Sequence, residues 1–247
     1  VMAAATANGT SIICNAAKEP EIVQLCDYLN HMGANISGHG TSTITINGVG
    51  SLNSADISII PDRIEAGTFL AAGALLGEIT LKSVNPDHLE LVLMKLKEIG
   101  CNLDFTENTI TISPAGSINN VDITTDVYPG FPTDLQAQWI AIMTIANGST
   151  IITDTVYHDR FGHVPELNRL GANIKVENNI AFISGVKNLV GAPVMSTDIR
   201  ASASLIIGGL IAKGITEVNR VYHIDRGYER IEDKFLTLGG KIWRESA

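Results

Sequence analysis

Pro20-Glu-Ile-Val-Gln-Leu-Cys-Asp-Tyr-Leu-Asn-His-Met-Gly33 returns in altered form at Asp87 to Gly100, and the match between the two stretches decides the architecture. Ile22, Leu25, Cys26, Leu29 and Met32 correspond to Leu89, Val92, Leu93, Leu96 and Ile99 at a constant offset of 67 positions. Steps of three and four along each set define one face of an α-helix. An internal period of this length means that the chain is assembled from repeated supersecondary units.

Glycines frame every copy. Gly9, Gly77, Gly148 and Gly214 each end a first helix, and Gly33, Gly100, Gly171 and Gly239 end a second one 23 to 25 positions later. Helices often stop in a left-handed turn that a Cβ disfavours, which is why glycine is expected there. The second-helix face continues in the third copy as Val164, Leu167 and Leu170, and in the fourth as Tyr228, Ile231, Phe235 and Leu238. A pair of alternating strands should follow each second glycine, as in 34–36 with 42–46 and 172–176 with 180–183. First helices are expected over 64–76, 135–146 and 201–212, each preceded by a short strand. They are rich in alanine and glycine and almost free of charge, so they should be buried, whereas the second helices keep a polar side for water.

The unit is therefore βαβαββ and the fold class α/β (α+β). Residues 1–57 read as one repeat that lacks its leading strand and most of its first helix, belonging to a second, similar domain. Residues 58–247 read as three whole repeats closing around one core. On that reading the sequence is a fragment of a longer protein.

The composition narrows the function. A net charge of −9 over 247 residues, without a basic run, argues against a nucleic-acid partner. Cys14, Cys26 and Cys101 are odd in number and lack metal-ligand or disulfide spacing, and the six histidines form no ligand pattern, so neither a cofactor nor a metal is expected. No apolar run approaches the roughly 18 residues of a membrane span, and a cytoplasmic location fits best.

Charge is concentrated where first helices begin. Fourteen positions before Gly77, Gly148 and Gly214 stand Arg63, Asp134 and Arg200. A structural role is available for Asp134, because Thr133 with Gln136 has the form of a capping box and an acid suits the helix dipole. Arginine there opposes the dipole, by roughly 0.3–1 kcal/mol. Either the neighbouring Asp62 and Asp198 neutralise Arg63 and Arg200, or an anion does. Arg160 and Arg226 both lie 12 positions after a first glycine, where copies one and two have Glu21 and Leu89. The repeat itself does not need them, although Asp159 and Asp225 are adjacent candidates for simple pairing. Asp134, Arg160, Arg200 and Arg226 together place one acid and three cations on one rim, an arrangement suited to a small dianion with a carboxylate free to act as a base.

The stretches Pro-Asp-Arg-Ile-Glu-Ala-Gly-Thr-Phe at 61–69, Phe-Pro-Thr-Asp-Leu-Gln-Ala-Gln at 131–138, Thr-Asp-Ile-Arg-Ala-Ser-Ala-Ser at 197–204 and His-Ile-Asp-Arg-Gly-Tyr-Glu-Arg-Ile-Glu at 223–232 resemble the UDP-N-acetylglucosamine enolpyruvyl transferases. The resemblance covers essentially the whole chain. It implies an inverse α/β, or α-β prism, domain of three repeats and part of a second. It also implies transfer of an enolpyruvyl group from phosphoenolpyruvate to the 3-hydroxyl of UDP-N-acetylglucosamine, a step of peptidoglycan synthesis. Asp134 would take the hydroxyl proton, and Asp134 and Val156 would hold the nucleotide sugar. Arg226, Arg200 and Arg160 would bind phosphoenolpyruvate. The family's lysine, asparagine and cysteine-bearing loop have no counterpart in these residues and would belong to a missing N-terminal part. Two alternatives remain: a 3-phosphoshikimate 1-carboxyvinyltransferase, and a non-catalytic repeat scaffold. The chain alone should be inactive: with both substrates in large excess, phosphate release is expected to stay at the level of a protein-free blank.

Overall fold

The computed structural model describes residues 1–114 and 116–245, and they form two compact units. Val1–Pro61 and Val127–Gly130 make up the first, with the remaining residues in the second.

In the first unit, α1 (Met2–Ala5), β1 (Thr10–Cys14), α2 (Pro20–His31), β2 (Asn35–Ser37) and β3 (Thr43–Asn47) follow in order. The sheet runs β1-β3-β2 with antiparallel neighbours. Alternation along β3 turns Ile44 and Ile46 inward, where they meet Cys26 and Leu29 of α2 and Ile36 of β2.

The second unit continues with α3 (Arg63–Leu76), β4 (Ile79–Lys82), α4 (Glu90–Glu98), β5 (Asn102–Phe105), β6 (Thr109–Ser113) and β7 (Ile123–Thr125). A 3₁₀ turn at Thr133–Leu135 runs into α5 (Gln136–Met143), then come β8 (Ser149–Asp154), α6 (Val164–Arg169), β9 (Asn173–Glu177) and β10 (Ile180–Ser184). β11 (Pro193–Met195), α7 (Ile199–Ile211), β12 (Glu217–Asn219), a 3₁₀ turn at Val221–Arg226 and α8 (Ile231–Thr237) complete it. The sheet orders are β4-β6-β5, β7-β8-β10-β9 and β11-β12. In each three-stranded core the strand after the first helix lies beside the last strand of the repeat, the same order as β1-β3-β2. β7 and β11 join β8 and β12 in parallel.

Among the described residues only the third repeat carries the full βαβαββ pattern. Among the described residues no strand precedes α3: the backbone of Ser58 and Ile60 bonds instead to the Gln24 carboxamide, which accepts from the Ile60 N–H at 3.1 Å and donates to the Ser58 carbonyl at 2.9 Å. A side chain thus takes the place of a neighbouring strand. Nor does a strand pair follow Gly239 among the described residues, so β12 pairs only with β11. The expectation of whole repeats on both sides of the third is corrected accordingly.

The first helices α3, α5 and α7 pack on one another and the sheets surround them, an inverse α/β arrangement. Every residue of α5 is buried, as are Ala66–Ala74 of α3 and Ala201–Gly208 of α7. Small residues permit the close approach: a Cβ on Gly67 would lie 2.4 Å from Leu135 Cδ1. A helix buried on all sides can keep charge only at its ends, so Arg63, Glu65 and Arg200 stand in first turns.

All four second glycines have φ between 85° and 105°, as a left-handed helix stop requires. Gly77 departs from the expected pattern, ending α3 in extended backbone at φ 163° and ψ 170°. A third glycine, which the helical spacing did not reveal, closes two of the sheets. Gly185 donates its N–H to the Gly148 carbonyl at 2.9 Å, and a Cβ there would sit 1.7 Å from the Ala146 carbonyl oxygen. Gly48 repeats this on Gly9 at 2.9 Å, with 1.6 Å to the Ala7 oxygen. Since only backbone movement can relieve that overlap, Gly185→Ala should cost about 1–3 kcal/mol or more. Gly50→Ala, with open space around it, should stay within about 0.5 kcal/mol. Urea midpoints with m compared between variants check both.

Candidate functional site

Asp134 opens the 3₁₀ turn ahead of α5, and its carboxylate lies between two guanidiniums. Arg160 Nη2 is 2.5 Å from Oδ1, and Arg200 Nη2 donates to Oδ2 at 2.9 Å. The carboxylate is about one-third exposed, at 34%, so the trio is open to a solute. Burial works to raise the Asp134 pKa, but the charges and hydrogen bonds of Arg200 and Arg160 outweigh it and hold the carboxyl below its ordinary value. Burial likewise works to lower the Arg200 pKa, and Asp134, joined by the Tyr228 hydroxyl, raises it instead.

The capping roles are divided differently from the sequence expectation. Asp198 caps α7, accepting from the Arg200 and Ala201 N–H groups at 2.8 and 2.9 Å, and Asp62 caps α3 in the same way through Ile64 and Glu65. Asp198 therefore serves the backbone, while the Arg200 side chain pairs with Asp134. The capping box expected for Thr133 and Gln136 does not form. Thr133 Oγ1 instead donates to Asp154 Oδ2 at 2.7 Å and accepts from Arg160 Nη1 at 3.0 Å, so the hydroxyl is turned toward those two side chains rather than the helix N–H groups.

Asp154 is the residue the spacing missed. Fully buried at the end of β8, it accepts through Oδ1 from Thr125 Oγ1 at 2.7 Å and from the N–H groups of Val156 and Tyr157 at 3.0 and 2.8 Å. Those bonds shape the loop that brings Arg160 back to Asp134, and the Arg160 guanidinium lies 5.6 Å from the Tyr157 ring centre. The only sequence signal was an acid ending a strand pattern in Thr-Asp-Thr-Val-Tyr, a common turn motif.

Arg160 does not pair with the adjacent Asp159, nor Arg226 with Asp225. Asp225 is taken by Arg244 at 2.7 Å, and Arg226 is exposed with no ion pair or hydrogen bond among the described residues. Asp134, Arg160 and Arg200 are thus brought together by direct bonds, whereas Arg226 stands free at the end of the turn that packs on α7. Val156 is exposed at 42%, its N–H engaged by Asp154. His163 is a core residue, 2% exposed, with its pKa lowered to about 4 by burial. Among the described residues no group of three or more His, Cys, Asp or Glu could hold a metal ion, and no helix is long and apolar enough to cross a membrane.

These features define a class: a tandem-repeat inverse α/β chain in which a carboxylate at the start of one buried helix meets an arginine from the start of another and a second arginine from a loop. The chain belongs to the EPSP synthase (3-phosphoshikimate 1-carboxyvinyltransferase) family, whose sequence profile matches residues 1–235. It is 58% identical over 247 residues to a protein of Chloroherpeton thalassium named UDP-N-acetylglucosamine 1-carboxyvinyltransferase, covering 100% of this chain and 58% of the relative. A protein of the same name from Bdellovibrio bacteriovorus is 54% identical over 246 residues, covering 99% of this chain and 59% of the relative. The chain therefore spans less than two-thirds of the length of these curated relatives. Among solved structures, the enolpyruvyl transferase NikO from Streptomyces tendae superposes with a TM-score of 0.89 at 27% identity, over 99% of this chain and 58% of that one. EPSP synthase from Acinetobacter baumannii shares the fold with a TM-score of 0.71 at 18% identity, over 98% and 60% respectively.

The electrostatics of the trio are open to test. With Arg200→Met, burial acts on Asp134 against only one guanidinium, and its pKa should rise relative to the parent. Because the parent's folded-state value lies below the unfolded value of about 3.9, the pairing stabilises the fold fully above that pH and is lost as pH falls through the folded value. The variant should lose that part of its acid sensitivity. A carboxyl carbon NMR titration alongside acid unfolding measures both.

Proposed function

We propose that this chain is the C-terminal portion of a UDP-N-acetylglucosamine 1-carboxyvinyltransferase, in which 1–57 completes one domain and 58–247 forms most of the other. The complete protein would transfer the enolpyruvyl group of phosphoenolpyruvate to the sugar 3-hydroxyl and release phosphate, supplying peptidoglycan synthesis in the cytoplasm. The observation that carries this reading is the Asp134 carboxylate held between Arg160 and Arg200. The names and 51–58% identities of the relatives support the nucleotide sugar as acceptor. A shikimate 3-phosphate acceptor finds less support, since the EPSP synthase structure shares only 18% identity.

The chemistry follows from charge. Phosphoenolpyruvate brings a phosphate and a carboxylate, which Arg200, Arg160 and the free Arg226 would share. In the absence of substrate the two paired guanidiniums make Asp134 a weak base. An incoming anion competes for those same guanidiniums, so binding itself frees the carboxylate and raises its basicity as the acceptor arrives. Asp134 then takes the 3-hydroxyl proton while the sugar oxygen bonds to the central enolpyruvyl carbon, and the electron pair of the opened double bond takes up a proton from an acid of the complete site, turning the terminal methylene into a methyl group. Departure of phosphate from that carbon, with loss of a proton from the neighbouring methyl group, restores the double bond. Val156, fixed by Asp154, would help hold the sugar. The lysine and the cysteine-bearing loop of the family would come from the missing N-terminal part.

In the complete protein, Asp134→Ala should lower turnover by about 10²- to 10⁴-fold. A loss below about threefold would remove Asp134 from the mechanism and favour a scaffold. The acid limb of kcat/KM, which reports the free enzyme, should lie at lower pH than the acid limb of kcat, because the arginines suppress the Asp134 pKa only until an anion engages them. Coincident limbs would show that substrate does not draw the arginines away.

A further inference from the structure

We propose that Arg244 is a positioning residue for Arg226: by holding both carboxylate oxygens of Asp225, it keeps that acid from neutralising the adjacent arginine and leaves the Arg226 guanidinium open to an anion. The proposal rests on the reading of Arg226 as a group that binds phosphoenolpyruvate.

The 3₁₀ turn Val221–Arg226 is fixed from its inner side. Ile224 is fully buried, and so is Tyr228 just beyond the turn, whose hydroxyl lies 2.7 Å from Thr68 Oγ1 of α3 and accepts from Gln138 Nε2 of α5 at 3.4 Å. A Cβ on Gly227 would lie 3.0 Å from Ile199 Cγ2, so the glycine lets the chain pass close to the first turn of α7, where Arg200 follows Ile199. Asp225 and Arg226 are left on the exposed side. Side by side there, they are the ion pair that proximity favours: consecutive Cα atoms are about 3.8 Å apart, well inside the roughly 8 Å over which physiological salt screens a charge.

Arg244 intercepts that pair. After α8 the chain turns at Gly239 and Gly240, and Ile242 packs against the core as the chain returns toward the 3₁₀ turn. Arg244 Nη1 donates to Asp225 Oδ2 at 2.9 Å and Nη2 to Asp225 Oδ1 at 2.7 Å, the two-pronged geometry in which a guanidinium matches a carboxylate. Nη2 also donates to Glu232 Oε2 of α8 at 3.0 Å. A single exposed ion pair would hold Asp225 loosely, but a bidentate contact extended to a second acid forms a network. The neighbouring cations are engaged as well, Arg230 with Asp233 and Lys234 with Glu65. Of Arg226, Arg230, Lys234 and Arg244, only Arg226 has no acid partner among the described residues. Were Asp225 released, its carboxylate would compete with an incoming anion for Arg226 and repel it at close range. Arg244 removes both effects without touching the anion.

The test uses the complete protein that contains this chain. Arg226→Gln sets the scale and should raise the KM for phosphoenolpyruvate about tenfold or more. Arg244→Gln should raise the same KM about three- to fivefold, the worth of one exposed ion pair, and change kcat and the KM for UDP-N-acetylglucosamine less than about twofold. Adding Asp225→Asn to Arg244→Gln should return the KM to within about twofold of the parent, because the released side chain no longer carries a charge. If Arg244 only fastens residues 241–245, the double variant will be no better than the single one. Arg244→Lys, which keeps the charge without the fork, should fall between Arg244→Gln and the parent. An unchanged KM in Arg244→Gln, or a rise that Asp225→Asn does not reverse, overturns the proposal and leaves the functional reading standing. An unchanged KM in Arg226→Gln sinks the role of Arg226 and the proposal with it. If Arg244→Gln does not fold, Arg244→Lys with and without Asp225→Asn decides in the same way.

Discussion

Everything in the larger unit depends on three helices with almost no polar surface being buried against one another. Apolar burial stabilises them by about 25 cal/mol for each Å² of apolar surface removed from water. The same burial forbids charge along α5 and the middle of α3 and α7, where each residue meets protein on every side. Charge is therefore driven to the N-terminal ends. Asp134 and Arg200 meet because α5 and α7 pack together and begin beside each other.

A carboxylate held by two arginines would be an ordinary ion pair if it were fully exposed, worth little beyond screening. Here it is partly withdrawn from water, so its protonation depends on whether the arginines stay. That dependence couples anion binding to basicity in the proposed reaction. The buried Asp154 supports it indirectly, tying Thr125 of β7 and Thr133 to the loop that carries Arg160. Sheet, turn and loop are thus held by one side chain at the edge of the site.

Much of this was legible in the linear pattern because repetition multiplies a weak signal. A single apolar stripe such as Ile22 to Met32 is compatible with many folds, but its return at Leu89 to Ile99 with flanking glycines leaves few. Arg160 and Arg226 stood out because copies one and two lack them. Asp154, Tyr228 and the sheet-closing Gly48 and Gly185 were not legible as such. Each acts through a partner distant in sequence: Asp154 on Thr125 and Thr133, Tyr228 on Thr68 and Gln138, and Gly185 against Ala146. The missing strand before α3 was unreadable for a related reason, since alternation in 58–60 does not reveal that Gln24 will occupy its backbone.

By itself the amino-acid order determined the repeating unit, the burial of its first helix and the residue types gathered at the helix starts, because periodicity and local backbone preference act over a few residues. Which acid pairs with which base was decided only in three dimensions. Asp198, Asp159 and Asp225 are neighbours in sequence of the arginines they were candidates to neutralise, yet Asp198 caps α7, Asp225 pairs with Arg244, and Asp134 takes both Arg160 and Arg200. Ion pairing follows distance and desolvation in the packed molecule, and neither quantity is written along the chain.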